Sequence, residues 1–102
     1  MGSRLELQSK LEILLGTENV YFQPPATVRL VYPCIIYNRS NIKVEHADNM
    51  PYTMKKRYTV TVIDRNPDSV IGESILQTLP LCNYDRAYAA DNLNHDVLTV
   101  YY

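Results

Sequence analysis

The stretch from Lys55 to Leu79, KKRYTVTVIDRNPDSVIGESILQTL, constrains the fold more than any other, because its apolar period changes at a turn signal. From Tyr58 to Ile63 nearly every residue is β-branched or aromatic, a composition that suits a pleated, half-buried surface. Alternation assigns Tyr58, Val60 and Val62 to one face and Arg57, Thr59 and Thr61 to the other, as in a strand with one wet side. Asn66-Pro67-Asp68 then ends the strand. Asn66 is placed to cap a helix through its side-chain oxygen, Pro67 suits the first helical position, and Asp68 favours the positive helix end. Ile71, Ile75 and Leu79, with Leu76 beside them, form one apolar stripe, and Pro80 closes the helix. A strand that feeds through a corner into an amphipathic helix predicts a sheet with a helix lying on it.

The flanking segments extend this layout. Ser3-Arg4-Leu5-Glu6 has the form of a capping box, Leu7, Leu11, Leu14 and Leu15 follow at helical spacing, and Gly16 supplies a left-handed terminator. A helix over Arg4 to Leu15 is predicted, its polar face (Glu6, Gln8, Ser9, Lys10, Glu12) either wet or turned to a neighbouring subunit. Glu18-Asn19-Val20-Tyr21-Phe22-Gln23 differs at one position from a cleavage site used in expression tags. The following Pro24-Pro25 and the preceding capped helix favour a native segment, with Val20-Tyr21-Phe22 as a short strand stopped by the prolines.

Within the apolar run Val28 to Tyr37, Pro33 cannot donate to a ladder, so a strand is expected to begin near it and to include Cys34 to Tyr37. Asn38 to Met54 is polar and turn-rich, yet Ile42, Val44 and His46 alternate with Lys43 and Glu45. This reads as the outgoing arm of a long hairpin that turns near Ala47 to Pro51. An insertion of that length in a compact domain is usually functional or disordered. Leu81 to Ala90 reads as a strand broken by Asp85, and Asp91-Asn92 with Asn94 as a turn cluster. From Asp96 onward Leu98, Val100 and Tyr102 alternate with Val97, Thr99 and Tyr101, a last strand that pins the C-terminus in the sheet. The expected architecture is a single α+β domain over residues 1–102. It has a mainly antiparallel or mixed sheet of about four to five strands, two helices packed on it and one long β-hairpin.

At 102 residues the chain can bury roughly 60 to 70% of its unfolded surface, enough for one two-layer core with little room for a deep cleft. Ten basic and eleven acidic residues give a net charge of −1, so no global field draws in nucleic acid or membrane. Nine tyrosines with one phenylalanine and no tryptophan suit either half-exposed sheet faces or protein contacts. Cys34 and Cys82, both in apolar runs, read as small buried hydrophobes in a reducing compartment. No stretch approaches the roughly 18 apolar residues of a membrane span, and no secretory pattern opens the chain.

Reactive constellations are sparse. His46 and His95 are the only histidines, and a nucleophile–base pair of His95 with Cys34 or Cys82 has no local support. Metal-ligand spacing of the C-x-x-C or H-x₃-H kind is absent, the glycines at 2, 16 and 72 form no phosphate-cradling loop, and acidic residues are scattered. Lys55-Lys56-Arg57 is the one basic run; it reads as a solvated strand edge that resists aggregation, with phosphate contact as the alternative.

Three blocks carry a family resemblance: Tyr32-Pro33-Cys34-Ile35-Ile36-Tyr37; Arg57 to Ile75 through Asn66-Pro67-Asp68-Ser69; and Asn83-Tyr84-Asp85-Arg86 with the closing Leu98 to Tyr102 strand. In their order and spacing, and with the leading helix, the chain resembles the tail-terminator (tail-to-head joining) proteins of bacteriophages with long non-contractile tails. It is shorter than typical members between its second helix and last strands. The resemblance implies a non-enzymatic virion protein of the tail and neck, assembled in the bacterial host cytoplasm and needing no cofactor. It further implies a homo-oligomeric ring, hexameric in that family, that caps the tail tube, stops its polymerisation and joins the head. The implied partners are other copies of the chain, the major tail tube protein and head-completion or connector proteins. DNA enters only as cargo passing through the lumen, and no membrane is involved. The interface is expected on the hairpin, at Tyr37, Arg39, Asn41, Lys43, Glu45, Tyr52, Lys55 and Arg57, facing the leading helix or the polar face of the second helix on a neighbour. Two other classes stay open: another neck component such as a stopper, and a small cysteine/histidine enzyme.

Overall fold

A computed structural model describes residues 4–47 and 50–102, with side chains described over 4–40 and 56–102. The elements in chain order are α1 (Arg4–Leu15), β1 (Val20–Phe22), β2 (Cys34–Ala47), β3 (Met50–Asp64), α2 (Ile71–Thr78), β4 (Cys82–Ala90) and β5 (Leu93–Tyr101). The strands form one sheet in the order β1-β2-β3-β5-β4. β1 runs parallel to β2 and every other pairing is antiparallel, so the fold is α+β with a mixed sheet.

Register sorts the side chains by face. The row Tyr37–Val60–Leu98 and its neighbours Ile35–Val62 and Tyr58–Val100 are all buried. They form one apolar cluster with Leu7, Leu11 and Leu15 of α1 and with Ile75 and Leu79 at α2, so both helices cover the same face. α1 ends as its sequence dictates: Gly16 takes φ +86° and its N–H reaches the carbonyl of Glu12 at 2.9 Å. Ser3, the first residue of the expected capping box, lies outside the described residues. Gln8, placed by periodicity on the polar face, instead turns inward. Its amide donates to the Val20 carbonyl at 3.0 Å and its oxygen accepts from the Tyr37 hydroxyl. Arg4 also donates to that hydroxyl at 3.2 Å while lying 4.5 Å over the Phe22 ring, which fastens α1 to the sheet.

The second helix begins later than expected. Asn66 accepts from the Asp68 N–H at 3.0 Å and Asp64 accepts from the Asn66 N–H at 3.1 Å, so this corner is a pair of side-chain-closed turns. The helix starts at Ile71 with Val70 at its N-cap and no side-chain cap bond. Leu76, expected in the apolar stripe, is on the exposed side, and the buried contacts come from Ile75 and Leu79. Gly72 permits a close approach to the sheet: a Cβ there would stand 3.2 Å from Oδ2 of Asp96.

Strand β4 has a register shift between Tyr84 and Arg86, so Asp85 is a bulge within one strand rather than an end to it. Asp91 and Asn92, with φ +54° and +61°, make the two-residue turn into β5. The β2–β3 ladder continues to Ala47 and Met50, as expected for a long hairpin, with register shifts between Arg39 and Asn41 and between Glu45 and His46.

Candidate assembly surface

Three features of the sheet stay uncovered by the chain's own packing. The first is an arm. The C-terminal strand reaches as far as Lys56 on β3, whose backbone exchanges hydrogen bonds with Tyr102 at 3.0 and 3.2 Å, and β1 pairs only with Ile35 to Tyr37 on β2. Beyond those points, among the described strands, β2 and β3 pair with each other alone, from Lys43↔Lys55 to Ala47↔Met50. The arm opens at a bulge: the register shifts between Arg39 and Asn41, and Ser40 donates its hydroxyl to the carbonyl of Arg57 at 3.2 Å. Its outer seven residue positions, Asn41 to Ala47, span roughly 23 Å at the usual strand rise. A two-stranded ribbon is at best marginally stable without further packing.

The second feature is the face of the sheet opposite the helices. At one end it is closed, with Cys34 and Ile63 buried side by side. Toward the arm it opens into the row Asn38–Thr59–Thr99–Asn83, four neutral polar residues in register across four strands. Thr99 donates its hydroxyl to Asp85 at 2.5 Å, which ties the bulge back onto this row. Farther along, Arg86 lies 5.3 Å over Tyr88, whose ring stacks on His95 at 4.6 Å and 9°.

The third feature is the free side of β4. Every residue from Asn83 to Ala90 is exposed, Tyr84 and Tyr88 at 42% and 43%. Tyr84 donates to Asp96 at 2.5 Å, and this bond, rather than burial, is the chief cause that pushes its hydroxyl up to about 12.

The expected interface residues divide among these places. Tyr37 does not belong to a surface: its ring is wholly buried between Phe22 and Tyr58, at 4.9 and 5.8 Å, because its register partner Val60 faces the helices. Arg39 and Arg57 are exposed at the base of the arm. Arg39 pairs with the core residue Tyr58 and Arg57 with Tyr101, so alternation sets them on opposite faces. Asn41, Lys43, Glu45, Tyr52 and Lys55 have their backbone on the arm, and their side chains lie outside the described set. Sequence reasoning missed β4 as a surface element; its run of small and polar residues, with both faces wet, was the available signal.

The cysteine–histidine pairings do not assemble. Cys34 and His95 both pair with Ile63, which leaves them one strand apart, roughly 10 Å. Cys82 pairs with Val100 on the helix-covered face, whereas His95 is on the other. Burial pushes both thiols up to about 11, aided at Cys82 by the Asp85 carboxylate, so neither is a ready thiolate near neutral pH. A recess of about 270 Å³ beneath the 64–69 turn gathers Asp64, His95 and Asp96. Asp64 accepts from the Asn66 backbone and Asp96 from Tyr84, while Nδ1 of His95 is buried without a partner. Among the described residues no group of three or more His, Cys, Asp or Glu is placed to hold a metal ion, and no helix is long and apolar enough to cross a membrane.

No protein-family model matches the chain, and comparison with curated proteins gives no match.

Proposed function

We propose that the chain is a structural ring protein of the tail-terminator type, which caps a phage tail tube and joins it to the head. The observation that carries this reading is the arm: a two-stranded ribbon reaching past the sheet, with no other described strand paired to its outer half. A ring subunit needs two different patches that meet around a symmetry axis, and an arm at one corner with an open strand at the far edge supplies them. Tyr84 and Tyr88, exposed on β4, are residues of the type favoured at protein interfaces. The family resemblance of the three sequence blocks points the same way. In this reading the role is attachment, with no bond made or broken, and the ring's partners are the tail tube on one side and a head-completion protein on the other.

Native mass spectrometry is the test. A hexamer is expected, and Lys43→Glu with Arg57→Glu is expected to weaken it while leaving the subunit folded by circular dichroism. A hexamer unchanged by the double swap counts against the arm as interface. Electron microscopy of the ring with purified tail tubes separates a terminator from a stopper, since a stopper ring would not seat on the tube end.

A further inference from the structure

Several strand edges find no partner among the described residues, and two of them lie on opposite sides of the same sheet. One is β4, which pairs with β5 on one side and with no described residue on the other. The second is the outer side of β2 beyond Arg39, whose N–H is taken by the Gln23 side chain at 3.2 Å after β1 has ended. Exposed edges in monomeric proteins are normally blunted by proline, lysine or a very short strand. β4 has none of these: Cys82 to Ala90 holds nine residues with no proline and no lysine, and its single bulge at Asp85 leaves Arg86 to Ala90 regular.

The direction of the free groups on β4 follows from its turn. Asp91 and Asn92 occupy the centre of a two-residue turn, so the carbonyl of Ala90 takes the N–H of Leu93 and these residues form a bonded pair. Bonded and non-bonded pairs alternate along an antiparallel ladder, which turns the amides of Ala87 and Ala89 away from β5 and outward. Their side chains are methyl groups, so nothing bulky at those positions obstructs an approaching strand.

We infer that neighbouring copies join by strand addition, the outer edge of β2 in the arm of one copy lying along β4 of the next. The inference rests on the ring reading and states how the ring closes. Asn41 to Ala47 provides seven positions against the five of Arg86 to Ala90, so the lengths are compatible. The pairing gives the arm the third strand that a ribbon needs for stability. Because the two edges lie at opposite sides of the sheet, the contact is head-to-tail, the arrangement that generates rings.

Hydrogen exchange on the unmodified protein, assembled at high concentration and dissociated by dilution, tests it. Assembly is expected to slow the amides of Ala87 and Ala89 and of the 41–47 segment together, by about tenfold or more. Ala87→Pro with Ala89→Pro, which removes only outward donors, is expected to abolish assembly while keeping the monomer's circular dichroism. A ring in which those amides exchange as fast as in the monomer overturns strand addition and leaves the ring reading standing. Protection of β4 without the 41–47 segment would mean a two-fold β4–β4 dimer, and also overturns it. Failure to self-associate at any concentration removes both readings.

Discussion

Burial sets the chemistry of Cys34. With no exposed surface, its thiol is pushed from 9.0 up to about 11, so the folded chain keeps a proton there that the unfolded chain loses. The resulting contribution to stability is fully present below pH 9 and is lost as pH rises toward 11. Tyr37 and Tyr58, raised by burial in the same sense, add to the alkaline loss. Cys34→Ala should therefore be less stable near neutral pH, by about 1 kcal/mol, yet lose stability less steeply between pH 9 and 11; urea midpoints measured across that range check it. Gly16 offers a cleaner case. Its φ of +86° is costly for any residue with a Cβ, while no atom lies within 4 Å of where that Cβ would be. Gly16→Ala should cost about 1 to 2 kcal/mol through backbone strain alone, read as a lower urea midpoint with an unchanged slope.

Elements with one buried face were the most legible from the sequence, and β4, exposed along its length, was legible as a strand interrupted at Asp85 but not as a surface. The strand at Tyr58, Val60 and Val62 and the helix at Leu7, Leu11 and Leu15 announce themselves because each has an apolar side with a clear period. The outgoing half of the arm was legible as a hairpin strand, since Ile42, Val44 and His46 alternate with Lys43 and Glu45, and the ladder runs on to Ala47 and Met50. The start of α2 was misplaced for a local reason: Asn66 spent its side-chain oxygen on the Asp68 N–H, closing a turn instead of a helix. Tyr37 was assigned to the interface because its run of apolar residues does not reveal which face is inward; only pairing with Val60 decides that. As an element, the arm should be separable. Apart from Lys56, which bonds Tyr102, its backbone beyond Arg57 pairs with no other described strand, so replacing residues 42–56 with Asn-Gly, between the paired Asn41 and Arg57, should leave a folded monomer. Circular dichroism should keep its thermal transition, and sedimentation should show no oligomer; cooperative unfolding lost with the arm would contradict the separation.

At the scale of the whole molecule, the helices protect only one side of the sheet. The near balance of ten basic and eleven acidic residues gives the chain no global field to attract a charged polymer. Duplex DNA mixed with the protein at about 150 mM salt should produce no mobility shift, since binding without sequence preference depends on neutralising many phosphates at once. The make-up of the uncovered side gives this a mechanical meaning. Where Asn38, Thr59, Thr99 and Asn83 cross four strands, the wall offers amides and hydroxyls and no net charge of its own. If the proposed ring turns this side to its lumen, a long polyanion passing through would find it wettable but not adhesive: little to hold it back, and little to push it off course.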